Sequence, residues 1–199
     1  VILVVNAALG IEDVKGFVDY AKSKEPGELS VGSAGVGTSQ DLATQVFENA
    51  AGLDLTHIIY TGTPPIIPDL IAGRLQASFL DPVSLAPFMD SPDLKILGIS
   101  TPERSPIWPD MPTIAEAAIP GFAAASWQGA FVPAGTPPEV VQKLYEGIAA
   151  ALKSPKLVER FQQLGATAGG QDPEAFASFV ESEIDRWAHI VKDANISLK

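Results

Sequence analysis

Short apolar segments alternate with amphipathic, helix-like segments through the first hundred residues. Apolar residues recur at helical spacing after Asp13 and after Thr38 or Ser39, residues typical of helix N-caps. Gly52 stands where the second of these helices should end, and Gly73 where the next one should end. Such alternation predicts an α/β fold with a mostly parallel sheet and flanking helices. The predicted strands cover residues 1–5, 29–33, 55–60, 76–80 and 95–100, and the predicted helices begin near residues 14, 38 and 65.

The character of the sequence changes after residue 100. Five prolines within 101–125 indicate an ordered connector, and the segment 127–132 predicts a crossover strand. Three helix-like segments follow, each with a proline at its start, and we expect Thr136 to cap the first of them. We therefore place a boundary near residue 125, between a continuous α/β ligand-binding domain (1–125) and the crossover strand and helical part of a second, incomplete domain (126–199).

Charge and composition exclude several classes of function. The chain carries 24 acidic and 13 basic residues, a formal net charge of −11, and no basic cluster, so no nucleic-acid partner is expected. It has no cysteine and only two histidines, far apart in sequence, so neither a metal nor another cofactor is predicted. No apolar run reaches the roughly 18 residues of a membrane span. A chain without cysteine is compatible with a periplasmic location.

The segment from Gly32 to Ser39 is the strongest candidate for a binding loop. It reads as a strand that enters a glycine-rich turn and then a helix, a corner that presents backbone N–H groups and the positive end of a helix dipole. It is close to a nucleotide P-loop, but Thr38 stands where that motif requires a lysine. The loop therefore suits a carboxylate better than a triphosphate. The alternative is that its glycines only form a tight turn.

Polar residues also follow the two predicted strands at 55–60 and 76–80. Because the carboxyl ends of parallel strands meet at one edge of a sheet, we expect these residues to lie near the glycine-rich loop. Such a group suits reversible binding of a small polar molecule. Alternatively, Asp81 caps a helix and Tyr60 packs half-buried. The predicted ligand-binding residues are Ser33, Gly35, Val36, Gly37, Thr38, Ser39, Gln40, Tyr60, Thr61, Gly62, Asp81 and Ser84.

A catalytic alternative uses Ser33 as a nucleophile. Residues 31–35 resemble a nucleophile elbow, but Val31 stands where that motif has its first glycine. A triad of Ser33, His57 and Asp81 can be written, although its spacing is arbitrary, and His57 is expected to be a packed or edge-strand histidine. We therefore predict no enzymatic activity and no catalytic residue.

Several motifs together resemble the periplasmic receptors of tripartite tricarboxylate transporters, the Bordetella uptake gene (Bug) family. The resemblance implies a fold like that of type II periplasmic binding proteins, with two α/β domains and a ligand held in the cleft between them. It also implies a periplasmic receptor that binds a small organic acid and delivers it to the membrane components of the transporter. The matching segments are 32–43 (Gly-Ser-Ala-Gly-Val-Gly-Thr-Ser-Gln-Asp-Leu-Ala), 59–62, 101–106, 109–113, 120–121, 133–138 and 183–187.

The chain departs from this family pattern in three respects. Thr61 stands where a lysine is common, and Pro64, Pro65 and Pro68 crowd a helix start. The resemblance also implies an N-terminal segment that this sequence does not contain. Without that segment we expect self-association, or an N-terminal fragment that completes the fold. The alternatives to a receptor are a stand-alone effector or sensor domain of the same fold and, less favoured, a small serine hydrolase.

Overall fold

The computed structural model of the protein describes residues 1–193. The chain forms two compact units, one made by Val1–Ser126 and one that begins at Trp127. The first unit contains all the strands found in the described residues, and the second contains three helices. No helix within the described residues is both long enough and apolar enough to cross a membrane.

A single five-stranded sheet forms the centre of the first unit. Its strands are β1 (Ile2–Asn6), β2 (Ser30–Ser33), β3 (Thr56–Ile59), β4 (Ala77–Leu80) and β5 (Leu94–Ile99). They lie in the order β3-β2-β4-β1-β5. The strand β2 is parallel to β3 and β4, whereas β1 is antiparallel to β4 and β5. Four strands thus point the same way, which confirms the predicted α/β fold, while β1 runs against them.

Helices cover both faces of this sheet, because the strands are apolar on both sides. The helices of this unit are α1 (Val14–Lys22), α2 (Ser39–Ala51), α3 (Ile66–Ile71), α4 (Pro82–Leu85) and α5 (Ile114–Ala117). Asp13 caps α1 by accepting a hydrogen bond from the Gly16 N–H at 2.7 Å. Thr38 caps α2 in the same way, by accepting from the Asp41 N–H at 3.3 Å. The cap at Asp13 agrees with the sequence prediction, and of the two predicted candidates for α2 it is Thr38 that serves.

Two apolar clusters make the core of the first unit. One gathers residues of α1 and α2 against the sheet and includes the aromatic rings of Phe17, Phe47, Phe79 and Phe122, whose neighbouring centroids are 5.8–6.4 Å apart. The other gathers residues of α3 and α4 against the opposite face. Successive residues of β1 alternate between the two clusters, so this strand is buried on both sides. Each large side chain buried in this way contributes about 1.5–3 kcal/mol of hydrophobic free energy.

The second unit contains α6 (Pro138–Leu152), α7 (Pro155–Gln163) and α8 (Pro173–Asp193). The predicted crossover strand at 127–132 is wrong for the described residues, where this segment pairs with no strand. Its alternate residues pack instead on α8: the rings of Trp127 and Phe131 lie 5.9 and 5.4 Å from that of Phe176, and Gly129 faces the same ring. The segment therefore has the alternation of a strand, but a helix face takes the place of a neighbouring strand.

Thr136 does not cap α6, contrary to the sequence prediction. Its hydroxyl donates to the carbonyl of Pro133 at 2.8 Å, and Pro137 occupies the cap position without a side-chain hydrogen bond. The hydroxyl is thus used inside the preceding turn. The face of α6 that reads as apolar is also open, since Val140, Leu144 and Ile148 are all more than 40% exposed.

Candidate functional site

The carboxyl ends of β2, β3 and β4 meet at one edge of the sheet, and the predicted site residues follow these three strands. Backbone hydrogen bonds join the segment that follows β2 to the segment that follows β3. The Tyr60 N–H donates to the Ser33 carbonyl at 2.8 Å, and the Gly62 N–H donates to the Ala34 carbonyl at 3.1 Å. The edge also holds Asp81, the residue directly after β4. The parallel pairing of β2 with its two neighbours brings these segments together.

The loop between β2 and α2 uses some of its backbone donors internally and leaves others free. Gly35 and Gly37 adopt φ angles of 135° and 75°, a region that side chains other than glycine rarely enter. The N–H of Gly37 donates to Asp41, and that of Thr38 donates to the Gly35 carbonyl. Within residues 1–193, no hydrogen-bond partner is found for the N–H groups of Gly35, Val36, Ser39 and Gln40.

The side chain of Asp41 stabilises this loop through hydrogen bonds to Ser33 and Gly37. Its side chain is almost completely buried, with 2% of the residue exposed. One carboxylate oxygen accepts from the Ser33 hydroxyl at 3.0 Å, and the other accepts from the Gly37 N–H and the Gln45 amide, both at 2.9 Å. Ser33 is itself fully buried, so its hydroxyl serves this internal contact. The sequence offered one signal for Asp41, because it lies three residues after the N-cap Thr38, where a capping-box acid stands.

His57 on β3 lies close to the carboxylate of Asp41. Its Nε2 lies 2.5 Å from a carboxylate oxygen of Glu48, and its Nδ1 lies 3.5 Å from Asp41. The hydrogen bond to Glu48 raises the pKa of His57; partial burial opposes this rise, and the charges of Glu48 and Asp41 add to it. His57 is therefore a histidine on an edge strand, as expected, and it is paired with two carboxylates of α2.

A second polar network connects the glycine-rich loop with the end of β4. The Gln40 amide donates to the Thr63 hydroxyl at 3.4 Å, and that hydroxyl donates to Asp81 at 2.8 Å. Asp81 also caps α4 by accepting from the Ser84 N–H at 2.8 Å. Burial raises the pKa of Asp81, but these hydrogen bonds outweigh burial and lower it. Asp81 thus caps a helix, which is the alternative interpretation of this residue. Thr63, which is absent from the predicted set, links Gln40 to Asp81.

The side chain of Tyr60 is hydrogen-bonded to Asp69 on α3. Its hydroxyl donates to Asp69 at 2.5 Å, and Asp69 also pairs with Arg74. Burial and the hydrogen bond to Asp69 raise the pKa of Tyr60 to about 12. The hydroxyl is therefore tied to α3, as the packing alternative anticipates, whereas Thr61 beside it is exposed.

The residues of the hypothetical triad do not meet as a triad. The Ser33 hydroxyl donates to Asp41, His57 contacts Glu48 and Asp41, and Asp81 contacts Thr63. The Asp41 carboxylate lies between the serine and the imidazole, so the histidine has no hydrogen bond through which to take the serine proton. The arrangement contradicts a hydrolase based on these three residues. Within residues 1–193 no group of three potential metal ligands is found.

The twelve predicted residues fall into four groups, one of which is Thr61 and Gly62 in the connection after β3, where Thr61 is exposed and the Gly62 N–H donates to the Ala34 carbonyl. The structure joins Gln40 to Asp81 through Thr63, and Ser84 donates its N–H to Asp81. It places the loop 35–39 beside this network, with the side chain of Val36 half exposed. It directs Ser33 and the Tyr60 hydroxyl to internal partners. Direct contact of these residues with a ligand stays a prediction.

Comparison with known proteins identifies the family. The family model described as "Tripartite tricarboxylate transporter family receptor" matches residues 1–196. The UPF0065 protein of the tcbD-tcbE intergenic region of Pseudomonas sp. strain P51 is 36% identical over 197 residues, covering 98% of this chain and 58% of that protein. The protein BugT of Bordetella pertussis is 31% identical over 198 residues, covering 100% of this chain and 60% of BugT. The chain thus spans about three fifths of the length of these relatives.

Solved structures show the same fold. The chain matches R. palustris Rpa4515 with adipate at a TM-score of 0.90 and 33% identity, over 98% of this chain and 65% of that one. It matches the periplasmic binding protein BugD at a TM-score of 0.86 and 29% identity, over 98% of this chain and 66% of BugD. It matches MatC of Rhodopseudomonas palustris with bound malate at a TM-score of 0.83 and 30% identity, over 96% of this chain and 65% of MatC. The chain belongs to the tripartite tricarboxylate transporter receptor family, a family of solute-binding receptors and not of enzymes.

Proposed function

We propose that this chain is part of a periplasmic solute-binding receptor that captures a small carboxylate and delivers it to the membrane components of a tripartite transporter. The observation that carries the proposal is the similarity, at TM-scores of 0.90 and 0.83, to structures described as containing adipate and bound malate. The description of BugD as a periplasmic binding protein supports the location. The assignment of residues 1–125 as the ligand-binding domain stays part of this proposal.

The ligand carboxylate would lie against the free N–H groups at the start of α2, those of Ser39 and Gln40. These donors stand at the positive end of a helix of 13 residues, where a negative charge is favoured. Thr38, Ser39 and Gln40 add polar side chains at the same place. Asp81 and Ser84 would contact polar substituents of the ligand and so select among related acids.

The experiment that tests this site replaces Ser39 with proline. Ser39 is the first residue of α2, and Thr38 before it has φ −70° and ψ 162°, both of which suit a proline at position 39. Ser39→Pro removes one free N–H donor and leaves the helix start intact. We expect adipate or malate to bind about tenfold more weakly, because a hydrogen bond to a charged group contributes about 1.5 kcal/mol.

Ser39→Ala is the matched control, because it removes the hydroxyl and keeps the N–H group. Binding is followed by calorimetry and by thermal shift, since a ligand held by the folded state raises its apparent stability. Equal affinity of Ser39→Pro and the parent chain would contradict the placement of the carboxylate. The absence of any shift across a panel of carboxylic acids would contradict the receptor proposal itself.

We further propose that the open apolar face of the second unit is covered in the working receptor, either by a second copy or by the N-terminal segment that the family resemblance implies. Val140, Leu144, Ile148 and Ile184 are 42–62% exposed on α6 and α8. Contiguous exposed apolar side chains favour association. Sedimentation of the 199-residue chain, with mass spectrometry for a co-purifying fragment, tests this. A monomer without any partner would contradict it.

A further inference from the structure

The contacts of Asp41 connect the candidate anion loop to a titratable side chain. Asp41 is buried under the loop, where its carboxylate accepts from the Gly37 N–H at 2.9 Å and from the Ser33 hydroxyl at 3.0 Å. Its Oδ1 lies 3.5 Å from Nδ1 of His57. The same carboxylate therefore fixes the backbone of the loop and faces the imidazole.

The imidazole of His57 lies between two carboxylates. Asp41 in the first turn of α2 and Glu48 in its third turn are the charged groups that face the ring, at 3.5 and 2.5 Å. The neighbouring strand β2 carries no charged residue. All three side chains are largely buried, with exposed fractions of 21% for His57, 14% for Glu48 and 3% for Asp41. Water therefore screens the three charges only weakly.

The charge of this cluster depends on one proton. With His57 protonated, the cationic ring compensates part of the charge of two carboxylates. When His57 loses its proton, two uncompensated negative charges remain beneath a loop that is expected to receive an anion. Asp41 then loses its cationic neighbour, and its charge opposes a carboxylate bound at the N-terminus of α2.

We propose that protonated His57 acts, through Asp41, as a positioning residue for the 35–40 loop, so that the receptor binds its carboxylate more weakly once His57 is neutral. The proposal rests on the proposed function, since it concerns the same loop. It makes His57 a pH-sensitive element of the site without direct contact to the ligand.

The first experiment follows the loop without any ligand. Backbone amide and imidazole resonances of the ¹⁵N-labelled 199-residue chain are recorded from about pH 5.5 to pH 9. We expect the Gly37 amide to titrate with the same midpoint as the His57 ring. Glu48→Gln should lower both midpoints together by at least about half a pH unit. His57→Gln should abolish the Gly37 titration.

The chain supplies its own control, because His189 on α8 is the only other histidine. His189→Gln should leave the Gly37 titration unchanged. The proposal is overturned if the Gly37 amide does not titrate, or if Glu48→Gln moves the His57 midpoint and leaves that of Gly37 in place. A purely structural His57 would give either of these results.

The second experiment measures adipate binding by calorimetry at about pH 6.5 and pH 9, where adipate is ionised at both values. We expect the affinity of the parent chain to fall roughly three- to tenfold at the higher pH, and that of His57→Gln to stay constant. A parent affinity that does not change with pH overturns the proposal. If neither adipate nor malate binds at either pH, the proposed function fails, while the ligand-free titration still decides the coupling of His57 to the loop.

Discussion

The hydroxyl of Thr63 donates a hydrogen bond to Asp81 across 2.8 Å, and this bond ties the connection after β3 to the start of α4. Thr63 is buried, and its hydroxyl also accepts a hydrogen bond from the Gln40 amide at 3.4 Å. Three segments that lie far apart in sequence thus share one polar network at the carboxyl edge of the sheet. Asp81 has a structural role as a helix cap, and we propose a second role for it in contacting the ligand.

These two roles of Asp81 can be separated by substitution. Asp81→Asn keeps a side-chain oxygen that caps α4, so we expect the free energy of unfolding to change by less than about 0.5 kcal/mol. The same change removes the negative charge and should alter the affinity ranking of hydroxylated and unsubstituted dicarboxylates, measured by calorimetry. Asp81→Ala is the reference for the lost cap and should cost about 1 kcal/mol in chemical denaturation. An unaltered ranking in Asp81→Asn would count against ligand contact by Asp81.

Replacing Gly37 with valine should damage both the loop and the binding of a carboxylate. The φ angle of 75° at this position is unfavourable for a side chain, and most of all for a β-branched one. We expect a loss of about 1–3 kcal/mol in unfolding free energy and of more than about 1 kcal/mol in carboxylate binding. Chemical denaturation and calorimetry measure the two effects.

Gly147→Ala is the control for this glycine substitution. Gly147 lies inside α6, and a methyl group there would have no neighbour within 4 Å. Alanine should therefore stabilise the helix by up to about 1 kcal/mol. Carboxylate binding by a folded Gly37→Val variant at the affinity of the parent chain would refute the role of this loop.

The pairing of His57 should make stability depend on pH above the ordinary histidine pKa of 6.5. The hydrogen bond to Glu48 raises the pKa of His57 in the folded state above its ordinary value of 6.5. A raised pKa means that the folded state binds the proton more tightly than the unfolded state. The stabilisation is therefore complete below the ordinary pKa and is lost as the pH rises through the folded pKa.

Chemical denaturation of the parent chain and of His57→Gln measures this contribution. We expect the difference in unfolding free energy to be about 1–2 kcal/mol in mildly acidic solution and to shrink at alkaline pH. A difference that grows with pH would have the wrong sign and would reject the assignment.

Trp127 should stabilise the second unit through its ring and its indole N–H. The ring lies 5.2 Å from that of Phe179, and the N–H donates to Glu183 at 3.0 Å. Trp127→Phe keeps an aromatic ring and should cost about 1 kcal/mol for the lost hydrogen bond. Trp127→Ala should cost about 2–3 kcal/mol, less than for a fully buried tryptophan, because Trp127 is 38% exposed. Denaturation followed by circular dichroism at helical wavelengths measures both, and equal stability of the two variants would show that the ring contributes nothing.

Local signals in the sequence were sufficient for most elements of the first unit. The caps at Asp13 and Thr38 and the glycines at 52 and 73 mark helix boundaries that the structure places within a residue or two. These features depend on backbone groups a few residues apart, so a short segment contains the information. The segment 127–132 shows the limit, because its alternation is that of a strand while its neighbour is α8.

The sequence by itself determined the α/β class, the family and the position of the glycine-rich loop, because propensity, capping and motif spacing are local properties. Only the tertiary structure decided that β1 runs against its neighbours, that Thr63 joins Gln40 to Asp81, and that Asp41 meets His57 under the loop. Each of these depends on strand order and on which helix face turns inward. Contacts between distant segments follow from the packing of the whole sheet, which no short stretch of sequence specifies.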